Sequence, residues 1–418
     1  MMWVDELKRD AKAILPSVVE LRRALHRKPE LGNDLPETRA LVLEALADLG
    51  FGIEKSERTT SFVATLKGGS PGRCVLLRAD MDALPMPEDS GLEFASENPG
   101  RMHACGHDVH TAMLAGAARL LARRADSLAG DIKFFFQTGE EGHFGAKICS
   151  EEGLLERGRA PDAAFALHID PRMTCGRVAG RAGALLASTT EWAVDIKGKG
   201  GHASMPHNAV DPIPAACEMV AALQSMVTRR INAFDPAVIT TTQVHAGTTD
   251  NVIPETARLS GTLRATSERS RAEAEAGIHR IAQGVAQAHG VDAEVSVADG
   301  YPVTFNEAIF TEFASAVVDQ VLGEGSYSGM PTPLMGGEDF SYILQRWPGA
   351  MFFLGMRDPG IADPAPVHSN RMVLDENGMT HGMLLHAGVA LTFLRNSDDS
   401  DDSDDSDDND DNDDSEGN

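Results

Sequence analysis

Apolar residues recur at helical spacing through the first part of the chain. Between residues 5 and 49 apolar and charged positions alternate with this period, with an interruption around 29–32 and a restart at Leu35. Because one face of an amphipathic helix repeats every three to four residues, this segment predicts two helices joined by a loop.

Short, continuous apolar runs follow. Runs of this kind are typical of strands that are buried on both faces of a sheet. They cover residues 74–77, 132–136, 163–167 and 351–354, and helical segments lie between them, notably 111–128. This alternation predicts an α/β domain with a mixed, mostly parallel sheet.

The pattern changes between residues 188 and 299. Period-two alternation predicts four strands there, at 191–197, 237–245, 256–264 and 293–297. Helical periodicity predicts helices at 211–230 and 267–289, the second capped by Ser267 and ended by Gly290. The order strand, helix, strand, strand, helix, strand is that of a ferredoxin-like α+β module. Because apolar runs resume afterwards, we expect residues 188–299 to be inserted into a domain formed by 1–187 and 300–396.

The segment 397–418 repeats Ser-Asp-Asp and Asn-Asp-Asp, and it carries half of the net charge of -26. It contains little that a core could bury, so it is predicted to be a disordered acidic tail. The rest of the chain is therefore acidic as well. Such a surface repels nucleic acid and anionic membranes, and we expect neither as a partner. It also suits high salt, which makes a halophilic source a hypothesis.

The chain shows no signal-peptide pattern and no apolar run of the ~18 residues that a membrane span needs. A cytoplasmic protein is therefore expected. The cysteines number 5 and are widely spaced, which argues against a disulfide framework. Cys105 alone among them has other candidate metal ligands beside it.

The candidate chemistry is concentrated in the segment His-Ala-Cys-Gly-His-Asp-Val-His at 103–110 and in Glu140 and Glu141. Thiolate, imidazole and carboxylate groups are the side chains that hold Zn²⁺, Mn²⁺, Co²⁺ or Ni²⁺. Of two adjacent carboxylates, one can bind metal while the other acts as a general base. The spacing therefore predicts a metal-dependent hydrolytic site.

The positions of these residues relative to the predicted strands support the same site. The run at 74–77 leads into Asp80 and Asp82, the run at 132–136 leads into Glu140 and Glu141, and the run at 163–167 leads into His168. Open α/β sheets bind ligands at the carboxyl ends of their strands. We therefore expect these side chains to meet at one edge of the sheet.

The motifs together resemble those of the co-catalytic metal-dependent amidohydrolases. This family includes hippurate hydrolases, auxin-conjugate amidohydrolases, aminoacylase-type deacylases of N-acyl amino acids and N-acetyldiaminopimelate deacetylases. The resemblance covers nearly all of the chain before the acidic tail. It rests on the segments 25–31, 78–85, 102–110, 139–142, 198–204, 251–254, 335–340 and 366–369.

The resemblance implies five metal ligands: Cys105, His107, Glu141, His168 and His368. It implies two divalent ions per subunit, which could be Zn, Mn, Co or Ni. Cys105 occupies a position where many relatives have a bridging aspartate, and a thiolate favours softer cations than Mg²⁺ or Ca²⁺. The resemblance gives no metal role to His103 or His110.

The resemblance also implies the catalytic residues. Glu140 would be the general base, and Asp82 would orient the base or a ligand, with Asp80 a further candidate for that role. His202 would polarise the substrate carbonyl, and in relatives it does so across a dimer interface.

Four residues would bind substrate. Asn251 and Arg264 would bind its carboxylate, for which the guanidinium offers paired donors. Gly336 and Gly337 would form a glycine-rich substrate loop, in which Glu338 has no physical explanation beyond the resemblance. His143 and Phe144 follow the Glu-Glu-Gly motif where relatives often have small residues, and this leaves open the width of the acyl or side-chain pocket.

The function implied is hydrolysis of the amide bond of N-acyl amino acids, hippurate-like or N-acetylated, by a metal-activated water. The protein would be a homodimer in which 188–299 forms a lid or dimerisation domain. A dipeptidase or carboxypeptidase of the same superfamily is the alternative. A non-catalytic binding protein on this fold is a third hypothesis, but it would be expected to lack Glu140 or several ligands, and all of them are present.

Overall fold

The computed structural model describes residues 2–395, and the acidic tail predicted for 397–418 lies outside them. The described residues form nine α-helices: α1 (Met2–Arg27), α2 (Pro36–Leu46), α3 (His107–Ala122), α4 (Gly145–Glu151), α5 (Pro212–Arg230), α6 (Glu268–His289), α7 (Ala308–Leu322), α8 (Ser341–Leu344) and α9 (Met379–Arg395). They also form sixteen β-strands: β1 (Gly52–Lys55), β2 (Phe62–Leu66), β3 (Ser70–Asp80), β4 (Ala129–Gln137), β5 (Ala163–Thr174), β6 (Val178–Gly180), β7 (Gly183–Leu186), β8 (Ser188–Lys197), β9 (Gly201–His202), β10 (Ala237–Ala246), β11 (Val252–Ile253), β12 (Thr256–Ala265), β13 (Asp292–Asp299), β14 (Thr304–Asn306), β15 (Tyr327–Gly329) and β16 (Gly349–Arg357).

The larger sheet has eight strands in the order β1-β2-β4-β3-β5-β16-β6-β15. Its centre is parallel, because β3 pairs in parallel with β4 and β5, and β16 pairs in parallel with β5. The outer pairs β1 with β2 and β2 with β4 are antiparallel. The predicted mixed, mostly parallel α/β sheet is thus confirmed.

Both faces of this sheet are buried, as the continuous apolar runs require. In β3, Val75 and Leu77 join the core beneath α1, α3 and α9, whereas Leu76 joins a second core with residues of α4 and α8. Full burial of a leucine side chain contributes roughly 1.5–3 kcal/mol, so the alternation fixes the strand register strongly.

The second sheet has four antiparallel strands in the order β10-β12-β8-β13. Helices α5 and α6 cover one of its faces around a separate apolar core that includes Trp192 and Leu259. Asp211 caps α5, Ser267 caps α6, and Gly290 ends α6 in the left-handed conformation. The chain order and the strand order together give a ferredoxin-like α+β arrangement, as the sequence predicts.

Two of the predicted boundaries were wrong. Helix α3 was expected at 111–128 but begins at His107 and ends at Ala122, because Gly106 adopts a φ of 86° that allows the turn into the helix. His168 was expected after its strand, but β5 continues to Thr174 through pairing with β16, in which Phe353 faces His168.

Two expectations from composition can be compared with the structure. Among residues 2–395, none of the helices combines the length and the apolarity that crossing a bilayer requires. All five cysteines are free thiols, as expected for a chain without a disulfide framework.

Candidate metal centre

The loop before α3 brings Cys105 and His107 to the edge of the larger sheet. Gly106 lies between them, and a Cβ atom there would be 2.6 Å from Ile169 Cγ1. Together with the positive φ of 86°, this close approach restricts the position to glycine. The residue that separates the two candidate ligands is therefore fixed by the packing of β5 against the loop.

The five predicted ligands form two groups that share Cys105. One group is Cys105, His107 and His168, and the other is Cys105, Glu141 and His368. Within each group, one donor atom per residue lies within 4.8 Å of the others. Cys105 Sγ is 3.3 Å from His168 Nε2, and His368 Nε2 is 3.2 Å from Glu141 Oε1. Both groups of donor atoms therefore meet at the Cys105 thiol.

The ring nitrogens of two histidines are arranged for ligation. His168 Nδ1 lies 2.7 Å from the carbonyl oxygen of Ile169 and donates to it, which leaves Nε2 free toward Cys105. Both ring nitrogens of His107 are buried and have no hydrogen-bond partner among the described residues. Burying a polar group without a partner is costly, so an orphaned imidazole beside a thiol and carboxylates fits a divalent cation.

The electrostatics of the group favour positive charge. Burial opposes ionisation of the Cys105 thiol, but the imidazoles of His168 and His107 outweigh it and lower its pKa to about 6. Burial also opposes protonation of His168, but Cys105 raises its pKa to about 9. Hydrogen bonding to Cys105 and Glu141 raises the pKa of His368 to about 10. The raised pKa values of His168 and His368 reflect the negative charge of Cys105 and Glu141, which would attract a cation in the same way.

Asp82 holds the two adjacent carboxylate residues in place. Its Oδ1 accepts the backbone N–H of Glu140 and its Oδ2 accepts that of Glu141, both at 3.0 Å. Its Oδ1 is also 3.5 Å from His107 Nδ1. One carboxylate therefore fixes the backbone of the predicted base and of a predicted ligand together.

Glu140 lies in an acidic, buried environment. Burial raises the pKa of its carboxyl well above the usual range, and the charges of Glu338, Glu141 and Asp339 act in the same direction. Its side chain is 7% exposed, and carboxylate oxygens of Glu140, Glu338 and Asp339 lie within 4.8 Å of one another. The environment favours a proton on this carboxyl more strongly than solvent would.

A buried guanidinium, that of Arg78, organises these acids. It donates to Asp80 Oδ2 at 2.7 Å, to Glu338 Oε1 at 2.9 Å and to Asp339 Oδ1 at 3.0 Å. Arg78 is 1% exposed, so the ion pairs are almost fully desolvated. This contact gives Glu338, which had no explanation at the level of sequence, an electrostatic partner. The sequence motifs gave no role to Arg78 itself, although an arginine directly after an apolar strand run is an unusual signal.

His110 and His103 differ in their surroundings. His110 Nδ1 is 2.6 Å from Asp80 Oδ1, and its Nε2 accepts the backbone N–H of Ile169 at 2.9 Å. Both of its nitrogens are thus engaged, although Asp80, His107 and His110 form a further cluster of donor atoms. Both nitrogens of His103 are buried and have no hydrogen-bond partner among the described residues.

A cleft of about 560 Å³ opens beside Glu140 and Glu141, between the two sheets. Arg264, on β12, lies half-buried in its wall. Gly337 also lines the cleft, and a Cβ there would be 2.3 Å from Thr189 Cγ2. A larger concavity of about 870 Å³ lies along the second sheet, but none of the candidate ligands lines it, so the smaller cleft is the one that matches the chemistry.

Residues 76–391 match the model of peptidase family M20/M25/M40. The chain belongs to this family. Membership confirms the resemblance that the motifs indicated. Thermostable carboxypeptidase 2 of Saccharolobus solfataricus is 38% identical to this M20/M25/M40 protein over 397 residues, which cover 94% of this chain and 99% of the relative.

Two further relatives of this family protein come from Bacillus subtilis. N-acetylcysteine deacetylase is 36% identical over 384 residues, covering 92% of this chain and 98% of the relative. A crystal structure described as a dinuclear metal binding peptidase from the M20 family has a TM-score of 0.80 and 32% identity, covering 92% of this chain and 99% of that one. The family, these relatives and the ligand groups together indicate a hydrolase with divalent metals.

The remaining predicted residues of this M20/M25/M40 protein lie elsewhere. His202 is exposed on β9, and its Nδ1 is 2.9 Å from the Ser204 hydroxyl. Asn251 is exposed one residue before β11, and its carbonyl oxygen accepts the N–H of Ala203 at 3.1 Å. Gly336 is exposed and does not line the cleft. The structure thus brings His202 and Asn251 close to each other, but not into the cleft wall beside Glu140.

Proposed function

We propose that this protein is a metal-dependent amidohydrolase that cleaves the amide bond of N-acyl amino acids. The observation that carries the proposal is the position of Glu140, buried beside the two ligand groups and lining the same cleft as Arg264. A base, a cation-binding cluster and a guanidinium in one cleft suit a substrate that has an amide and a free carboxylate.

Cys105, His107, Glu141, His168 and His368 would hold two divalent ions, with Cys105 shared between them. When bound, such ions polarise a carbonyl oxygen and lower the pKa of water. The thiolate and the imidazoles favour Zn, Co or Ni over Mg or Ca, and the Glu141 carboxylate also suits Mn. The buried nitrogens of His107, which make no hydrogen bond among the described residues, support this assignment.

Glu140 would move the proton in the reaction. With cations held by the neighbouring ligands, the Glu140 carboxyl would be ionised despite its acidic surroundings. Its carboxylate would then accept a proton from the attacking water and deliver the same proton to the amide nitrogen as the C–N bond breaks. The products are a carboxylic acid and a free amino acid. Asp82 would be a positioning residue, because its two bonds to backbone N–H groups fix the direction of Glu140.

Arg264 would bind the substrate carboxylate. It lies in the cleft wall and has no ion-pair partner among the described residues, so its paired donors are available. Gly336 and Gly337 would form a substrate loop. Without side chains at these two positions, the substrate could lie close to the loop backbone. Asn251, just before β11, would also bind the substrate carboxylate. His202, on β9, would polarise the substrate carbonyl.

We include a homodimer in the proposal. Strand β10 is an edge strand of the second sheet and carries the exposed apolar residues Val238 and Val244. Such an edge can pair with another chain. Residues 188–299 would then serve as a lid and dimerisation domain, and His202 could act on the partner's cleft. Sedimentation velocity at micromolar concentration would test this, and a monomer throughout would contradict it.

Cleavage of unblocked peptides is a second candidate function. It is favoured by the similarity to thermostable carboxypeptidase 2 over nearly the whole of both chains. Arg264 would bind the carboxylate of a peptide as well as that of an N-acyl amino acid. The two functions differ in the tolerance of the cleft for a free amine at the other end of the substrate.

The test is a comparison of N-acetyl and N-benzoyl amino acids with the matching unblocked dipeptides, using protein refilled with each of the four metals. We expect turnover of the N-acyl compounds and little turnover of the dipeptides. The variant Glu140→Gln lacks the base, so it should not hydrolyse the N-acyl compounds. Faster turnover of the dipeptides would favour the carboxypeptidase, and turnover unaffected by Glu140→Gln would contradict the proposed mechanism.

A further inference from the structure

Phe144 has an unusual backbone conformation beside the candidate site. Its φ is 58° and its ψ is 35°, which is the left-handed region. Among the described residues, only Phe144 and the proposed ligand His368 are non-glycine residues with positive φ. Bulky residues rarely adopt this region, and where they do the surrounding structure holds them there.

The loop around Phe144 is tightly held. The N–H of Gly145 donates to the carbonyl of Gly139 at 3.1 Å, and the N–H of Ile148 donates to the carbonyl of Phe144 at 3.0 Å. Asn33 Nδ2 donates to the carbonyl of His143 at 2.8 Å. A Cβ at Gly145 would be 1.5 Å from the carbonyl oxygen of Thr138, so the loop has no room to shift. The conformation of Phe144 is therefore imposed by its neighbours.

This conformation places the Phe144 ring in an aromatic wall, which we define as Phe144, Tyr301 and Tyr342. The Phe144 and Tyr301 rings are 5.2 Å apart at 81°, and the Tyr301 and Tyr342 rings are 6.3 Å apart at 82°. The Tyr301 hydroxyl donates to the carbonyl of Glu140 and accepts the N–H of Gly142 at 2.7 Å. The wall is thus attached to the backbone of the proposed base.

The part of the aromatic wall that lines the cleft, Phe144 and Tyr301, differs from the rest of the cleft in polarity. The other side chains that line the cleft beside Phe144 and Tyr301 are mostly charged or hydroxyl-bearing: Glu140, Glu141, Thr189, Thr190, Glu191, Arg264 and Asp299. Phe144 is half-buried, so part of its ring faces the open space. It offers an apolar surface that a substrate group could contact close to Glu140.

We infer that Phe144 is a specificity-determining residue that selects substrates carrying an aromatic group next to the scissile amide. This inference rests on the proposed amidohydrolase function and names its substrate class. Ring-on-ring contact prefers edge-to-face or offset geometry, which the fixed Phe144 ring can offer without losing conformational freedom on binding. The aromatic group is either the acyl group or the side chain of the amino acid.

The test uses Phe144→Gly, since glycine adopts the same backbone conformation without strain. The kcat/KM values would be measured for N-benzoylglycine, N-acetylglycine, N-acetylphenylalanine and N-acetylalanine. We expect kcat/KM for one aromatic compound to fall at least about tenfold, with N-acetylglycine and N-acetylalanine nearly unchanged. A fall for N-benzoylglycine places the ring in the acyl group, and a fall for N-acetylphenylalanine places it in the amino acid.

Two further variants serve as controls. Phe305→Leu changes a half-exposed phenylalanine of β14 outside the cleft and should leave all four values unchanged. Phe144→Leu keeps an apolar side chain without a ring and should give intermediate selectivity. The melting temperature of Phe144→Gly should stay close to that of the natural chain, because relief of the backbone strain offsets the lost packing of the ring against Tyr301.

The outcomes separate the inference from the function on which it rests. If the natural chain hydrolyses these compounds but Phe144→Gly changes all four values by the same factor, or none of them, the inference is overturned and the amidohydrolase function is retained. If the natural chain hydrolyses none of the four while cleaving dipeptides, both are overturned.

Discussion

At the scale of single residues, some side chains of the candidate metal centre can be predicted from local sequence spacing, and others cannot. Cys105 and His107 are two positions apart and could be recognised as a ligand pattern. Arg78 and Glu338 are 260 positions apart, and their ion pair exists only because the loop before α8 returns to the end of β3. Contacts of this kind depend on topology, which no local spacing encodes.

Asp82→Asn tests the positioning of Glu140. The amide keeps the size of the side chain but replaces one acceptor oxygen by an N–H donor that faces a backbone N–H. We expect kcat to fall about 10- to 100-fold with little change in KM, as for other groups that support metal sites. Steady-state kinetics would measure it.

Asp162→Asn is the matched control, since Asp162 also accepts a backbone N–H, that of Cys74 at 2.7 Å, but lies outside the cleft. Its kcat should stay close to that of the natural chain. Full activity of Asp82→Asn would show that the two bonds from Asp82 do not position the base.

Arg78→Met tests the buried ion-pair network. Methionine fills similar space but leaves Asp80, Glu338 and Asp339 without their counter-charge. Breaking a buried pair by removing one partner typically costs about 3–5 kcal/mol, so the free energy of unfolding should fall by that amount. Urea denaturation would measure it.

Arg258→Met is the comparison, because its ion pair with Asp195 is half-exposed on both sides. Exposed pairs contribute about 0–1 kcal/mol, so this variant should unfold at nearly the natural urea concentration. Equal losses in the two variants would contradict the account of the buried network.

At the scale of elements, hydrophobic periodicity predicted the strands and helices but not all of their ends. The apolar runs of β3, β4, β5 and β16 were recognisable because both faces of these strands are buried. The helix predicted at 111–128 started four residues too late, because α3 already begins at His107, inside the candidate ligand segment. Short strands such as β6 and β15 contain three residues each, too few for a period to be detected.

Gly106→Ala tests the turn into α3. The Cβ would be 2.6 Å from Ile169 Cγ1 on a backbone with positive φ, so the loop must move and carry Cys105 and His107 with it. We expect weaker metal binding, measured as a higher Zn²⁺ dissociation constant in a chelator competition, and a lower melting temperature.

Gly50→Ala is the control for Gly106→Ala, because it introduces the backbone strain of a positive φ without a steric clash. Gly50 has a φ of 70°, but no atom of residues 2–395 lies within 4 Å of the position that its Cβ would occupy. It should lose only the ~1–2 kcal/mol of a left-handed alanine and bind Zn²⁺ normally. Unchanged Zn²⁺ affinity in Gly106→Ala would mean that the glycine does not fix the ligand loop.

At the scale of the whole molecule, the net negative charge is a property that the proposed reaction does not explain. Half of the net charge of -26 belongs to residues before the predicted tail. Like charges destabilise the compact state at low salt, and screening shortens their reach to about 10 Å at 0.1 M salt. The folded chain should therefore gain stability as salt is added.

The expected result is a melting temperature that rises from low salt to molar NaCl. In a chain ending at residue 396, the melting temperature should still rise with salt, because the remaining residues keep their negative charge. The rise should be smaller, because the charge of the tail is gone. A melting temperature that stays flat in both chains would contradict the halophilic hypothesis.

A metal titration of the stripped natural chain tests the proposed centre most directly. At each metal concentration, the amount of bound metal and the rate of hydrolysis of an N-acyl amino acid are measured. Two divalent ions per chain should bind, and activity should return with them. Cys105→Ala, which removes the thiolate shared by both ligand groups, should bind fewer than two and remain inactive. Full activity of the stripped chain, or two ions and full activity in Cys105→Ala, would contradict the proposed centre.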